Sequence, residues 1–425
     1  MRANGSAGRL RRRAALIVVA TLIVLLSTAI GIALADLPYL QRVARVAQLT
    51  DTGEWPDDLY RPVSVIAADA VPAPHTAMPR AADGATTIDP SALAAAAAWA
   101  EANNSVALLV WHRGALQLER YWQDHDATKL FSGRAMTRSV LGLAFGFAVA
   151  DGKLSLDDPA QRFLQEWRNE PRGRITLREL LQNISGLEEV PLSAPSVPAD
   201  AAPWQRLVAF WRLYSGKSTR LSLGTDFVST ALSFDLAHQP GYRFALSNAN
   251  AQILGVILER ATGVDYEKYV EQRLWRPIGG HSAEFYMDRA NGMPAVYCCM
   301  RALAVDFLKL GLLLAADGVL DGRRVLPAGW VAEMARTSRV NPLYGLQIWA
   351  GRAKAGVREY ATGSGIGPRH SEDYLADDVL WMEGGGGRTV WAVPSRELVI
   401  VRLGRASPNW DASYLPNTLL RGIRE

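Results

Sequence analysis

The sequence predicts an α/β fold of the α+β type, with one antiparallel sheet built from both ends of the chain and a helical region inserted between them. A transmembrane helix is predicted at the N-terminus. Three observations favour this architecture. Two pairs of β-rich segments lie near opposite ends of the chain, the residues between them are mostly helical in pattern, and residues 14–35 carry no charge.

The β-rich pairs predict two hairpins. Residues 106–111 and 115–122 are joined by His112-Arg113-Gly114, and residues 389–393 and 398–403 are joined by the stretch 394–397. We expect both hairpins to share one antiparallel sheet, built from the two ends of the chain.

Three helices are predicted between or beside these hairpins. Asp89-Pro90 opens the first, with aspartate as N-cap and proline at the first helical position, and it continues to residue 102. Residues 140–150 are apolar on every face and too short to span a bilayer, which indicates a buried core helix. Residues 249–262 form another helix that ends at Gly263. The stretch 190–203 holds four prolines and is predicted to be a loop that could rim a cleft.

The uncharged run 14–35 is long enough to cross a membrane, since 22 helical residues span roughly 33 Å. The basic residues before it favour a cytoplasmic N-terminus by the positive-inside rule. We therefore expect a cytoplasmic tail (1–13), a transmembrane helix (14–35) in a bacterial inner membrane, a juxtamembrane linker (36–85) and a periplasmic domain (86–425). The alternative is secretion to the periplasm after signal cleavage, because Ala33-Leu34-Ala35 has the small residues of a cleavage site.

Composition excludes several classes of protein. The 425 residues are 49% hydrophobic and 21% charged, as in ordinary globular proteins. Lys and Arg total 46 and Asp and Glu 42, but five of the arginines lie in the tail, so the remainder has 41 basic and 42 acidic residues. A nucleic-acid partner is not expected, because its binding surface would be a basic patch on the fold itself. The five tail arginines are Arg2, Arg9, Arg11, Arg12 and Arg13.

Neither a disulfide scaffold nor a metal centre is predicted. The two cysteines, Cys298 and Cys299, are adjacent, and their Cα spacing of about 3.8 Å is below the usual disulfide range. We expect two buried free thiols. The six histidines form no close ligand pair, and we predict no cofactor. An acidic group before the glycine run could form a calcium site, with a solvated loop as the expected alternative; it comprises Glu372, Asp373, Asp377, Asp378 and Glu383.

Four ordered landmarks carry a family resemblance. They are residues 131–139 (FSGRAMTRS) followed by 150–159, residues 180–187 (LLQNISGL), residues 240–248 (PGYRFALSN) followed by 253–263, and residues 383–388 (EGGGGR) followed by 393–401. Together they resemble the serine β-lactamase and penicillin-binding-protein superfamily, and more closely its esterase and 6-aminohexanoate-dimer-hydrolase branch. The resemblance covers roughly residues 90–425 and implies a β-lactamase/transpeptidase-like fold.

The chain departs from this family at the positions expected to be catalytic. The resemblance implies a serine nucleophile in a Ser-x-x-Lys turn, a Tyr-x-Asn turn and a His-x-Gly or Lys-Thr-Gly strand. Here the three elements contain Ala135 and Arg138, Leu246 with Asn248, and Gly385. Alanine cannot attack, and arginine stays protonated and cannot act as a base.

These replacements predict a non-catalytic homologue that binds a ligand or a partner. The ligand would be a small ester or amide, or a peptidoglycan-like molecule, held by Arg138, Asn248, Gly386 and Gly387. Two alternatives remain open. The protein could be an active ester or amide hydrolase with an unidentified nucleophile, or an inactivated variant of such a hydrolase. The residual site of an active enzyme would comprise Ser132, Ser139, Ser247 and Asn248.

Overall fold

A computed structural model describes residues 36–47, 59–66, 78–82, 84–189 and 201–424, with isolated positions at 17–21, 23, 24, 27, 31 and 56. The strands are β1 Val63–Ile66, β2 Ser105–His112, β3 Ala115–Tyr121, β4 Phe131–Ser132, β5 Ala283–Tyr286, β6 Arg301–Ala302, β7 Val319–Leu320, β8 Arg323–Arg324, β9 Trp349–Ala350, β10 Gly356–Val357, β11 Arg369–His370, β12 Leu380–Gly384, β13 Arg388–Val393 and β14 Leu398–Gly404. The helices are α1 Leu37–Ala47, α2 Pro90–Ala102, α3 Thr137–Ala150, α4 Leu177–Leu181, α5 Pro203–Ser215, α6 Lys217–Leu223, α7 Phe227–Leu232, α8 Asn248–Thr262, α9 Tyr266–Val270, α10 Ala304–Ala315, α11 Trp330–Met334 and α12 Tyr414–Arg421.

The principal sheet joins the two ends of the chain, as predicted. Its strand order is β3-β2-β14-β13-β12-β9, and each neighbouring pair is antiparallel. The pairing of β14 with β2 begins with Leu398 opposite His112. At the tip of the first hairpin, Arg113 and Gly114 have φ values of 47° and 85°, the left-handed geometry of tight hairpin turns. Both predicted hairpins are confirmed, and the sheet is the frame for the site described below.

Helices cover both faces of this sheet. Leu108 and Ile400 point to the face occupied by α2 and α12, where they join an apolar cluster of buried residues. Residues one step along the strands, such as Val399, point to the opposite face and meet α10, in which Gly311 packs directly on Val390 and Val399. The central strands are therefore buried on both sides, which explains why residues 398–401 of β14 are apolar without alternation.

The inserted helical region contains the predicted buried helix. α3 has every residue from 137 to 148 buried, and it packs against α8. α8 begins at an N-cap serine, Ser247, and ends at Gly263, whose φ of 73° is the left-handed geometry favoured by glycine. The predicted first helix is also present as α2, but the Asp89 side chain pairs with Arg424 rather than capping the helix.

A second compact unit comprises residues 1–52 with 193–225, separate from the unit of 53–192 with 226–425. Its described helices are α1, α5 and α6. The predicted linker 36–85 contains regular structure. Helix α1 occupies residues 37–47, and strand β1, at residues 63–66, pairs with β5. No helix among the described residues is long and apolar enough to cross a membrane. The predicted span 14–35 lies mostly outside those residues, and so do residues 190–200 of the predicted loop.

The prediction of two free thiols is wrong. Cys298 and Cys299 form a disulfide with their Cα atoms 3.7 Å apart. The chain turns sharply here, with a φ of 77° at Cys299, and the two side chains meet. Only Cys299 is fully buried, while Cys298 is partly exposed.

Candidate functional site

The turn that precedes α3 is held in place by its neighbours on the second sheet. β4 pairs with β6, and the 3-10 turn Arg134–Met136 then leads into α3. The carbonyl oxygen of Arg134 accepts hydrogen bonds from the Thr137 hydroxyl (2.8 Å) and from the Cys299 amide (3.1 Å). Ala135 is partly exposed, whereas the residues on either side of it are buried. The position where the family resemblance places the nucleophile is therefore a partly exposed methyl group on a hydrogen-bonded turn.

Arg138 is the second residue of α3, three residues after Ala135, and its side chain connects α3 to the 246–248 turn. Its Nη1 donates to the Ser247 carbonyl oxygen at 2.9 Å, and its Nη2 donates to Asn248 Oδ1. The Nε atom is buried and has no hydrogen-bond partner. Burial lowers the pKa of Arg138 from its ordinary value, but a guanidinium still remains charged near neutral pH. Arg138 is thus a buried cation at the position where the family resemblance places a lysine.

The 246–248 turn is fixed by two other segments of the chain. The Leu246 amide donates to the Tyr360 carbonyl oxygen at 2.8 Å. The Ser247 amide donates to Asn183 Oδ1 at 3.0 Å, and the Ser247 hydroxyl accepts from the Asn250 amide at 3.4 Å. Asn183 belongs to the second landmark, residues 180–187. The second and third landmarks therefore support each other in the structure.

The glycine run brings β12 against the turn that carries Ala135. A Cβ atom on Gly384 would collide with the Gly133 carbonyl oxygen, so the two backbones touch at this point. Gly385 is different, because a Cβ there would meet no atom within 4 Å and its φ is not positive. Gly386 and Gly387 have φ values of 74° and 71°, a conformation that favours glycine. The glycine run therefore touches the turn that carries Ala135, and the Arg138 side chain links α3 to the 246–248 turn.

We expect Gly384→Ala to lower the free energy of unfolding by about 1–3 kcal/mol, because β12 must move away from the Gly133 carbonyl. Gly385→Ala is the matched control, since its methyl group enters open space and should change stability by less than about 0.5 kcal/mol. Urea unfolding of both variants measures the difference. Equal stability of the two variants would contradict the close approach of β12 to the turn.

The three candidate substitute nucleophiles are engaged with backbone groups. Ser139 is buried and its hydroxyl donates to the Gln347 carbonyl oxygen at 2.7 Å. The Ser132 hydroxyl is also buried and accepts from the Arg134 amide at 3.4 Å. Ser247 caps α8. Among the described contacts of these hydroxyls there is no lysine, histidine or carboxylate that could act as a base.

The acidic residues before the glycine run do not form one group. No set of three or more His, Cys, Asp or Glu side chains in the described part of the chain is arranged to hold a metal ion. Glu383 instead lies inside the protein, where Oε2 accepts from Arg358 Nη2 and Oε1 accepts from the Tyr360 hydroxyl at 2.6 Å. The Arg358 guanidinium stacks 3.7 Å from the ring centroid of Trp349. Sequence analysis missed this pair, although Glu383 is two residues from buried Trp381 and therefore on the same strand face.

His370 lies beside this buried pair and had no signal in the sequence. It is 1% exposed, and neither ring nitrogen has a hydrogen-bond partner. Burial, and then the charge of Arg358, lower the pKa of His370 to about 4, opposed by Glu383 and Asp411. The folded protein therefore holds this imidazole neutral.

Acidification should destabilise the protein through His370. The unfolded imidazole has a pKa near 6.5 and the folded one about 4, so the unfolded chain binds more protons between these values. The free energy of unfolding should fall by up to about 3 kcal/mol as the pH drops across this window. Glu259 acts in the opposite direction, because burial raises its pKa to about 7. We expect His370→Phe to remove this loss of stability at low pH. If denaturant titrations show the same dependence of the free energy of unfolding on pH in the variant as in the wild type, the assignment to His370 is contradicted.

Comparison with known proteins gives consistent matches. The Beta-lactamase family model matches residues 91–417. Protein Rv1367c of Mycobacterium tuberculosis is 27% identical over 369 residues, covering 71% of this chain and 85% of that protein.

Solved structures show the same fold at lower identity. A protein from Bacillus anthracis described as a 6-aminohexanoate-dimer hydrolase superimposes with a TM-score of 0.61 and 17% identity, covering 86% of this chain and 88% of the other. EstCE1, a hydrolase with promiscuous acyltransferase activity, gives a TM-score of 0.56 and 17% identity, with coverages of 79% and 98%. At these identities the similarity is one of fold.

Proposed function

Because the chain belongs to the Beta-lactamase family, we propose that it is a non-catalytic homologue that binds a ligand or a protein partner at the site around Ala135 and Arg138. One observation carries this proposal. The nucleophile position is a methyl group, and the neighbouring cation bridges the Ser247 carbonyl and Asn248 instead of serving as a base.

The chemistry explains why activity would be lost. Acyl transfer by a serine hydrolase needs a nucleophile and a group that accepts its proton. Removing the nucleophile alone lowers kcat by a factor on the order of 10⁶ in a well-studied serine protease, and removing its partners adds little. Ala135 and Arg138 provide neither function, so hydrolysis at this position has no attacking atom and no base.

The retained scaffold could still bind the class of molecule that related hydrolases recognise. Arg138 supplies a buried positive charge whose Nε has no partner, Asn248 a partly exposed amide, and Gly386 and Gly387 partly exposed backbone. A carbonyl-containing ligand suits these groups: a small ester or amide, or a peptidoglycan-like peptide. No cofactor is proposed.

A fluorophosphonate that labels active serine hydrolases tests the absence of catalysis. We expect no covalent adduct on the full chain by intact-mass spectrometry. Thermal-shift titration with the linear 6-aminohexanoate dimer and with a D-alanyl-D-alanine peptide should reveal binding without hydrolysis products.

A serine adduct would overturn the proposal. If labelling occurs and is lost when only one of Ser132, Ser139 or Ser247 is replaced by alanine, that serine is a substitute nucleophile and the protein is an active hydrolase. Turnover that survives all three replacements would place the chemistry elsewhere in the molecule.

We also propose that the protein is anchored in a bacterial inner membrane by residues 14–35, with residues 86–425 in the periplasm. The support is the uncharged run and the five arginines that precede it. Cell fractionation should recover a full-length chain in the membrane pellet, whereas a soluble chain beginning near Asp36 would indicate signal cleavage.

A further inference from the structure

Helix α5 exposes a row of large apolar side chains. Trp204 is 65% exposed, Leu207 57%, Val208 42% and Trp211 55%. We call these four residues the α5 stripe. Of the tryptophans that the structure describes, Trp204 and Trp211 are the exposed ones. Such a patch on a soluble surface marks an interaction site.

The stripe lies on one face of the helix and points away from its own compact unit. Its members follow the spacing i, i+3, i+4 and i+7, which places them side by side. The buried residues of α5, Ala209 and Leu213, lie on the opposite face, and α5 packs there against α1. Among the described residues, the packing of α5 against α1 therefore leaves the stripe exposed.

Helix α5 is held in space next to Asp36, the residue that follows the uncharged run. The Tyr214 hydroxyl donates to Asp36 Oδ2 at 2.9 Å, and Arg220 forms an ion pair with the same carboxylate at 3.0 Å. Asp36 is the first residue after the run 14–35. The ring centroid of Trp211 is 5.6 Å from that of Tyr214. Because Tyr214 bonds to Asp36, the Trp211 end of the stripe lies close to the residue that follows the uncharged run.

We propose that the α5 stripe inserts into the boundary between the headgroups and the acyl chains of a lipid bilayer, as a second membrane contact beside the run 14–35. Tryptophan is suited to this boundary because its ring is apolar and its indole N–H can bond to headgroups. Helices that lie in the interface plane combine such an apolar face with polar residues on the flanks. In α5 these flanks carry Gln205 and Arg212, both exposed. The contact would fix the orientation of this unit on the membrane.

Tryptophan quenching in vesicles tests the proposal with the full chain. The run 14–35 contains no tryptophan, so insertion of that run alone gives no signal. The protein is reconstituted in phosphatidylethanolamine–phosphatidylglycerol vesicles that contain lipids brominated near the headgroup end of the chain. We expect a measurable loss of emission that is at least halved in Trp204→Phe/Trp211→Phe. Trp122→Phe, which changes a partly buried tryptophan, is the matched control and should retain the quenching.

A second variant separates insertion from the loss of the reporters. Leu207→Gln/Val208→Gln keeps both tryptophans but makes the stripe polar, and it should also reduce the quenching. Quenching that is absent in the wild type, or unchanged in both double variants, would overturn the proposal. A concentration-dependent dimer in detergent that is abolished by Leu207→Gln/Val208→Gln would assign the stripe to a second copy of the chain instead, and would equally overturn it.

Discussion

We expect the quadruple variant Ala135→Ser/Arg138→Lys/Leu246→Tyr/Gly385→His to gain esterase turnover on small activated esters, while Ala135→Ser alone remains nearly inactive. The single variant has a hydroxyl but no group that can remove its proton, because Arg138 stays charged. A lysine at 138 can lose its own proton and then accept the proton of the serine hydroxyl, and tyrosine at 246 supplies a phenol that can pass a proton to a leaving group.

The structure accommodates these four changes. Ala135 is partly exposed on a turn with fixed hydrogen bonds, so a serine hydroxyl there can be reached by a substrate. Leu246 is partly exposed, and a Cβ atom added at Gly385 would have no other atom within 4 Å. The most demanding change is Arg138→Lys, because it gives up one of two hydrogen bonds to the 246–248 turn.

The matched control is the triple variant that keeps Ala135. A fluorophosphonate should label the quadruple variant at residue 135 and leave the triple variant unlabelled. Loss of the nucleophile lowers the rate by a factor on the order of 10⁶, so the triple variant should have almost no turnover. Even a small recovery of turnover in the quadruple variant would be measurable against it. An inactive quadruple variant that folds normally would show that the scaffold has diverged beyond these four positions.

Local signals explain which parts of the fold could be predicted. The hairpin at Arg113-Gly114 and the end of α8 at Gly263 depend on residues close in sequence, and both were found. β1 and its pairing with β5 had no such signal, because a four-residue strand depends on a partner more than 200 positions away. α1 was missed because the prolines after it gave the whole stretch the pattern of a linker.

The site was predictable to the extent that it follows a sequence landmark. The positions of Ala135, Leu246 and Gly385 follow from the family resemblance. In the structure, Arg138 bonds to the 246–248 turn and Gly384 touches the turn that carries Ala135. Arg358 follows the two-residue strand β10 and His370 lies in its partner β11, and only tertiary packing places them beside Glu383. The acidic residues near Glu383 suggested one solvated or metal-binding group, because sequence proximity does not show that Glu383 alone belongs to β12 while the other four precede the strand.

The largest effect on stability is expected from Glu383→Gln. This change leaves the Arg358 guanidinium without its carboxylate inside the protein, where its side chain is 4% exposed. Breaking a buried ion pair from one side costs about 3–5 kcal/mol, because the remaining charge is desolvated and unpaired. The Tyr360 hydroxyl also loses a charged acceptor. Chemical denaturation should show this loss as a shift of the midpoint.

Two comparisons decide whether the effect comes from the buried charge. Glu166→Gln removes the carboxylate of a half-exposed pair with Arg260 and should cost no more than about 1 kcal/mol, because water screens the remaining arginine. Arg358→Met/Glu383→Leu removes both charges and should be more stable than Glu383→Gln, since an apolar pair of similar volume pays no desolvation penalty. If the double variant is instead less stable than Glu383→Gln, the stacking of Arg358 on Trp349 contributes more than the ion pair, and the guanidinium stabilises the protein as a packing element rather than through its charge.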